Sequence, residues 1–267
     1  MRAGDCHHSQ LVIVRPLWCS PALDILGIKN TRIVAKVYDP LYTEDDGYTN
    51  QFHLADIHYM HEVKAYAALS KFQASKIPKY YGSYTLSILV ENQQTERQVR
   101  LILLEFIPGM SMASAKPEDY SQSTRKQIMK TIVEFETDLY TRDLVHHDMH
   151  PRNVMIRPEL HSSNPEEVKV IFIDFADVEF SRIRNKSYGV KEESLLPKTY
   201  ISPLLRWHCA HSRCSEFEEW IDWDWQPWLE KEFEDTAATI TERMREVFLP
   251  DWLLESHYEW IRGRAKR

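Results

Sequence analysis

The spacing of apolar side chains divides the chain into two stretches of different character. Residues 30–40, "NTRIVAKVYDP", place β-branched side chains at their centre and end on Asp-Pro, which predicts a strand. Residues 50–71 carry Leu54, Ile57, His58, His61, Ala65 and Leu69 at a spacing near 3.6, which predicts a helix. Two further strands are expected in "PKYYGSYTLSILV" and "RQVRLILLEFIPG", the second ending at Pro108-Gly109. Residues 117–142 read as a second long helix whose acidic first turn suits the helix dipole. Two short apolar strands, "VMIR" and "EVKVIFIDF", follow around the polar turn "PELHSSNPE"; from about residue 190 the chain reads as mostly helical and rich in tryptophan. Strands with one helix come first, and helices flanking a small hairpin come after. That order predicts an α+β fold of two lobes within a single domain, an N-lobe over 1–107 and a C-lobe over 108–267, with a hinge near 105–110.

Composition narrows the class. At 267 residues, 43% hydrophobic and 27% charged, the chain can bury a sizeable core and reads as globular. A formal net charge of -7 disfavours nucleic acid and anionic membranes as partners, both of which select basic surfaces. The closing "RGRAKR" reads as a solvated tail. The apolar run "LVIV" is too short for a signal peptide and nothing approaches a membrane span, while four cysteines are too few for a disulfide scaffold. A cytoplasmic, reducing environment is the expectation. Nothing in the pattern specifies an oligomeric state.

One loop concentrates polar side chains. In "VHHDMHPRNVMI", residues 145–156, three histidines, an aspartate and an asparagine fall within eight positions and run straight into an apolar strand. Asp148 and Asn153 are five apart, and Asp174 follows the apolar run "VIFI". Two carboxylates and an amide at a loop and strand end suit Mg²⁺ with phosphate, because Mg²⁺ takes a few oxygen ligands and leaves room for substrate oxygens. Phosphoryl transfer asks the protein chiefly for positioning and charge neutralisation.

With these residues in view, the chain resembles the protein-kinase-like superfamily. "HHDMHPRN" is similar to its catalytic loop, "IDFA" stands at its metal motif, and "VAK" matches the strand with its phosphate-binding lysine. "HEVKAYAAL" matches the helix carrying the partner glutamate, and "LLEFIPG" looks like the hinge that holds adenine. The resemblance implies ATP and Mg²⁺ as cofactors. Lys36 would contact the α- and β-phosphates, with Glu62 pairing to it from the helix. Asp148 would orient or deprotonate the acceptor hydroxyl, and Asn153 and Asp174 would hold Mg²⁺. Backbone groups of Glu105 and Ile107 would bond adenine, with Leu104 lining the back of the pocket. Glu62 is the only glutamate in its helix, and Ala65, Tyr66 and Leu69 share its face, which points it inward.

"HxDxHPxN" is closer to the aminoglycoside-phosphotransferase and small-molecule-kinase branch than to serine/threonine protein kinases. His150 stands where those enzymes have Lys, His147 where many regulated ones have Arg, and Leu204 in "SPL" where they have Glu. The acceptor is therefore expected to be a small molecule rather than a protein. Over "VAKVYDP", "SPLLRWH" and "EEWIDWDWQPWLE" the chain also resembles kinase-like proteins of filamentous fungi. Two departures favour a rival reading, a pseudokinase scaffold. Gly27 is the only glycine in "VIVRPLWCSPALDILGIKN", where a glycine-rich phosphate loop is expected, and Ala176 replaces the glycine of the metal motif.

Two other clusters carry bland readings beside sharper ones. His208, Cys209, His211 and Cys214 could ligate zinc, but their spacing fits no standard pattern and buried thiols with surface histidines are favoured; "CHH" at 6–8 carries still less. Trp220, Trp223, Trp225 and Trp228 lie among acids. Core packing is favoured there over a wall receiving a cationic acceptor through Asp222 and Asp224.

Overall fold

A computed structural model of the chain describes residues 9–17, 27–42, 50–89, 96–158, 168–181 and 196–249. "CHH", Cys19, the closing basic tail, most of the turn "PELHSSNPE" and the middle of the segment expected to hold a phosphate loop lie outside them. The described residues fall into two compact units. The first gathers those among Met1–Met110 together with Asn153–Arg157 and Ile171–Val178; the second gathers those among Ser111–Arg152, Pro158–Val170 and Glu179–Arg267.

The first unit is built on an antiparallel sheet of β1 (Gln10–Val14), β2 (Ile33–Tyr38), β3 (Tyr80–Leu89) and β4 (Glu96–Glu105), in the order β1-β2-β4-β3. Register fixes which side chains share a face. Lys36 lies opposite Leu11 and Ile102, and Val34 opposite Ile13 and Leu104. Directly opposed residues point to one side of a sheet, so Leu11, Ile13, Val34, Lys36, Tyr38, Ile102 and Leu104 form one face. Helix α1 (Gln51–Ala68) starts where Asn50 accepts hydrogen bonds from the Phe52 and His53 amides, satisfying two of the orphan donors of its first turn. Its buried positions Ala55, His58, Glu62, Ala65 and Tyr66 recur at helical spacing, and Tyr59 meets Tyr38 of the sheet edge-on at 5.7 Å.

The chain leaves this sheet through Pro108-Gly109. A Cβ on Gly109 would meet the Ile156 carbonyl oxygen at 2.5 Å, so only glycine lets strand β5 (Val154–Pro158) approach this closely. The strand β6 (Val168–Phe172) ends where the Phe172 amide donates to the Lys76 carbonyl at 2.8 Å and the Ile173 amide to the Asn153 carbonyl at 2.9 Å. Those two bonds fix the backbone immediately before Asp174.

The second unit centres on α2 (Gln122–Thr141). Ile128, Met129, Ile132, Val133, Phe135 and Leu139 are all buried on it, each contributing roughly 1.5–3 kcal/mol by leaving water. The acidic residues Glu118 and Asp119 expected in its first turn belong instead to a separate 3-10 turn, Pro117–Asp119. The helix itself starts after Ser121, whose hydroxyl accepts from the Thr124 amide at 3.2 Å. Short helices follow: α3 (Pro203–Arg206), a kinked 3-10 stretch Ser212–Trp220, α4 (Trp225–Glu232) and α5 (Glu242–Phe248). Tyr140, Ile201, Leu205, Met244 and Leu249 close one core against them. Among the described residues no helix is long and apolar enough to cross a membrane.

Candidate active site

The centre of the first unit is a buried cation shared by two carboxylates. Lys36 Nζ lies 2.6 Å from Glu62 Oε2 and 2.7 Å from Asp174 Oδ1. Lys36 and Glu62 are 3% and 0% exposed, whereas the Asp174 side chain is 41% exposed, so only one member of the trio faces out. Burial alone would lower the Lys36 pKa; Asp174 and Glu62 outweigh it and hold the ammonium above the ordinary lysine value. Glu62 moves up as well, because complete burial penalises its carboxylate and Lys36 only partly offsets that. The two shifts are compatible: one cation cannot fully satisfy two carboxylates, and the deficit falls on the buried one.

Tyr38 supplies Glu62 with a further donor. It sits two residues beyond Lys36 on the same face of β2, and its buried hydroxyl donates a short hydrogen bond to Glu62 Oε2. The other oxygen, Oε1, receives the Phe175 amide at 3.5 Å, at the outer limit of a bond. Tyr66, one turn after Glu62, stacks on Tyr80 at 5.3 Å and meets Phe175 edge-on at 5.5 Å. Asp174 adopts φ +64, a left-handed backbone that aspartate tolerates better than most residues, and its Oδ1 also accepts the Ala176 amide at 3.3 Å. Sequence reasoning placed Lys36, Glu62 and Asp174 but missed Tyr38. The available signal was the strand period of two, which puts residue 38 on the same face as Lys36.

Beside the ammonium, the same face of the sheet is apolar and open at its edge. Leu11 and Ile13 are 42% and 61% exposed and flank Val34, with Leu104 buried beyond it. Glu105 ends β4 with its amide already donating to the Lys79 carbonyl at 2.9 Å and its carboxylate accepting from the Lys79 amide at 3.0 Å. Its N–H is therefore committed within the protein. Ile107 is buried just after the strand. Asn153 is buried in this unit at the start of β5.

Asp148 belongs to the second unit. Its carboxylate forms a close ion pair with Arg152, one 3-10 turn later, and its side chain is 29% exposed. The flanking histidines are engaged: His147 Nε2 lies 3.1 Å from Glu179, His150 Nε2 lies 3.5 Å from Glu216, and His146 is buried. In the same unit Glu136 of α2 is buried, accepting from Nε and Nη2 on one edge of the Arg206 guanidinium, from Trp207 Nε1 at 3.2 Å and from Arg213 at 3.2 Å. Burial would raise the Glu136 pKa, but Arg206 and Arg213 overcome it and lower the value. The segment "SPLLRW" thus makes its ion pair through Arg206, where Leu204 has none to offer.

With this geometry described, comparison with known proteins places the middle of the chain. Residues 60–188 match the family model of the ABC1 atypical kinase-like domain. That stretch is just under half of the chain and contains Glu62, Leu104, Glu105, Ile107, Asp148, Asn153 and Asp174, with Lys36 ahead of it. The likeness is to the protein-kinase-like superfamily. Among solved structures, the crystal structure of the Rio2 kinase from Chaetomium thermophilum, an ADP/Mg²⁺-phosphoaspartate complex, aligns with 92% of this chain and 67% of its own, at 14% identity and a TM-score of 0.46. No curated protein matches the chain.

In the first of the two remaining clusters Cys209 is exposed and His208 buried, the reverse of the buried thiols and surface histidines expected there. Among the described residues no three of His, Cys, Asp and Glu gather as a metal site; His211 Nε2 contacts the Phe248 carbonyl at 2.8 Å and His208 Nδ1 accepts the Ala210 amide. Trp220 and Trp225 are buried, and Trp225 packs on Trp228 at 4.8 Å and on Trp207 at 6.1 Å. Asp222 is 2.6 Å from Arg125, and Arg125 and Lys126 already cover the Trp223 ring.

Proposed function

We propose that the chain is an ATP-dependent phosphotransferase that moves the γ-phosphoryl group of Mg-ATP to a hydroxyl, on a small molecule rather than a protein. The observation that carries this reading is the buried Lys36 held between Glu62 and the partly exposed Asp174. A lysine fixed this way presents charge to phosphates without the freedom to swing away. The strip of exposed Leu11 and Ile13 with half-buried Val34 on the same face suits the flat apolar surface of a base. Asp174 and Asn153 offer the hard oxygen donors that Mg²⁺ takes, and the ion when bound would neutralise phosphate charge. In the transfer, the acceptor oxygen bonds to the γ-phosphorus and the bond to the β–γ bridging oxygen breaks. ADP leaves with that electron pair, and Asp148 orients the hydroxyl and takes up the proton it gives up.

A scaffold that binds nucleotide without turnover is the second reading, and the Arg152 contact favours it, because it occupies the carboxylate that an acceptor hydroxyl must reach. Thermal unfolding of the full chain with Mg-ATP, with ATP plus chelator and with neither tests the first step. A ligand at about 100 Kd stabilises the folded state by roughly 2.7 kcal/mol. The expected result is a stabilisation that requires Mg²⁺ and disappears in Asp174→Ala; no change at millimolar Mg-ATP would overturn the proposal. Mg-dependent stabilisation without transfer of labelled phosphate to any hydroxyl would select the scaffold.

A further inference from the structure

We propose that the hydroxyl acceptor of this site is a small anionic compound, carrying a carboxylate or phosphate that Arg152 recognises. This rests on the phosphotransferase reading and names its substrate class. Arg152 is four residues beyond Asp148, on the 3-10 turn Pro151–Asn153 that closes the loop. Its guanidinium reaches back to Asp148 Oδ1, yet its side chain is 54% exposed, so much of its donor fork faces solvent. Asp148 is its only carboxylate among the described residues.

Any hydroxyl that approaches Asp148 therefore approaches Arg152 as well. A cationic acceptor would meet a fixed guanidinium at the point where it must dock. An anionic one finds donors there in the planar fork that suits carboxylate and phosphate.

Two carboxylates that touch the loop already have partners on it: Glu179 meets His147 and Glu216 meets His150. Arg213 shares Glu136 with Arg206, so a single buried carboxylate serves two guanidinium groups. Arg213 is 35% exposed and lines a cleft of about 350 Å³ with His147, Met149, Trp207, His211 and Glu216. His147 and Met149 are the two neighbours of Asp148 in sequence, so this cleft opens directly beside the loop.

Three matched probes test the proposal on the full chain loaded with Mg²⁺ and a non-hydrolysable ATP analogue, which occupies the γ-phosphate position. They are D-glycerate, glycerol and 3-amino-1,2-propanediol, which share a diol and differ in charge. Isothermal titration is expected to show glycerate binding at least about tenfold more tightly than either of the others. Arg152→Gln removes that preference, Arg152→Lys keeps part of it, and Arg243→Gln, an exposed arginine paired with Glu246, leaves it intact. Preference for the amine, a glycerate preference that survives in Arg152→Gln, or no glycerate binding would each overturn the assignment. Folding of each variant is checked by its unliganded melt. If the analogue itself does not bind, the phosphotransferase reading falls. The same three titrations on the unloaded chain then decide whether Arg152 still selects anions.

Discussion

Tyr38 shows how much a single hydroxyl can hold in place. Glu62 is fully buried, and its one cation is also drawn to Asp174, so without Tyr38 the carboxylate keeps only a shared ammonium and one long amide contact. Leaving a buried acceptor short of a donor costs about 1–3 kcal/mol. Tyr38→Phe keeps the ring that packs on Tyr59 and removes only that donor. The expected loss of about 1–3 kcal/mol in urea unfolding should therefore come with a weaker stabilisation by Mg-ATP, because Lys36 loses a fixed partner. An unchanged unfolding midpoint would show that Tyr38 only fills space. Lys36 and Glu62 were legible as motif residues; Tyr38 was not, because a tyrosine in a strand is ordinarily read as packing.

At the scale of elements, the start of α2 separates what pattern can and cannot show. Glu118 and Asp119 made an acidic first turn plausible, and the apolar period from Ile128 onward is real, yet the helix begins only at Gln122. Ser121 decides this, since its hydroxyl takes the Thr124 amide while its own backbone is extended. Ser121→Ala should cost about 0.5–2 kcal/mol in chemical denaturation, whereas Glu118→Gln should change little. Equal effects from the two would mean that the dipole, and not the cap, sets this end. Strands β2, β3 and β4 were legible for another reason, as runs rich in apolar, β-branched or aromatic side chains, and helix α1 because Ala55, His58, Glu62, Ala65 and Tyr66 bury one face. Between residues 196 and 249 the helices are short or kinked, too short for a period to declare itself. Their order comes instead from the Glu136–Arg206 pair and from tryptophan packing between residues far apart in sequence. Asp148 and Asn153 stood out by their spacing, but the hold of Arg152 on Asp148 depends on a 3-10 turn that only the structure reveals.

At the scale of the whole molecule, each unit carries a buried ion cluster around a glutamate, Glu62 in one and Glu136 in the other, and the two respond to pH with opposite sign. In the first, the folded pKa of Glu62 lies above the ordinary carboxylate value of 4.5. The folded state then holds a proton that the unfolded chain has released, so stability is fully present below that value and declines as pH rises through the raised pKa. In the second, Arg206 and Arg213 depress Glu136 below 4.5. Its contribution is complete above that value and is lost as pH falls towards the depressed pKa, where the unfolded chain binds the proton first. Acid should therefore act through Glu136. In Glu136→Gln, Arg206 is left as a buried charge without its carboxylate, a loss of about 3–5 kcal/mol at neutral pH. The variant should also show a shallower decline of stability below pH 4.5 than the parent chain, because the group that titrates there is gone. Thermal unfolding followed from neutral to acid pH, in parent and variant, measures both effects. A variant whose acid limb is as steep as the parent's would assign acid sensitivity to carboxylates other than Glu136.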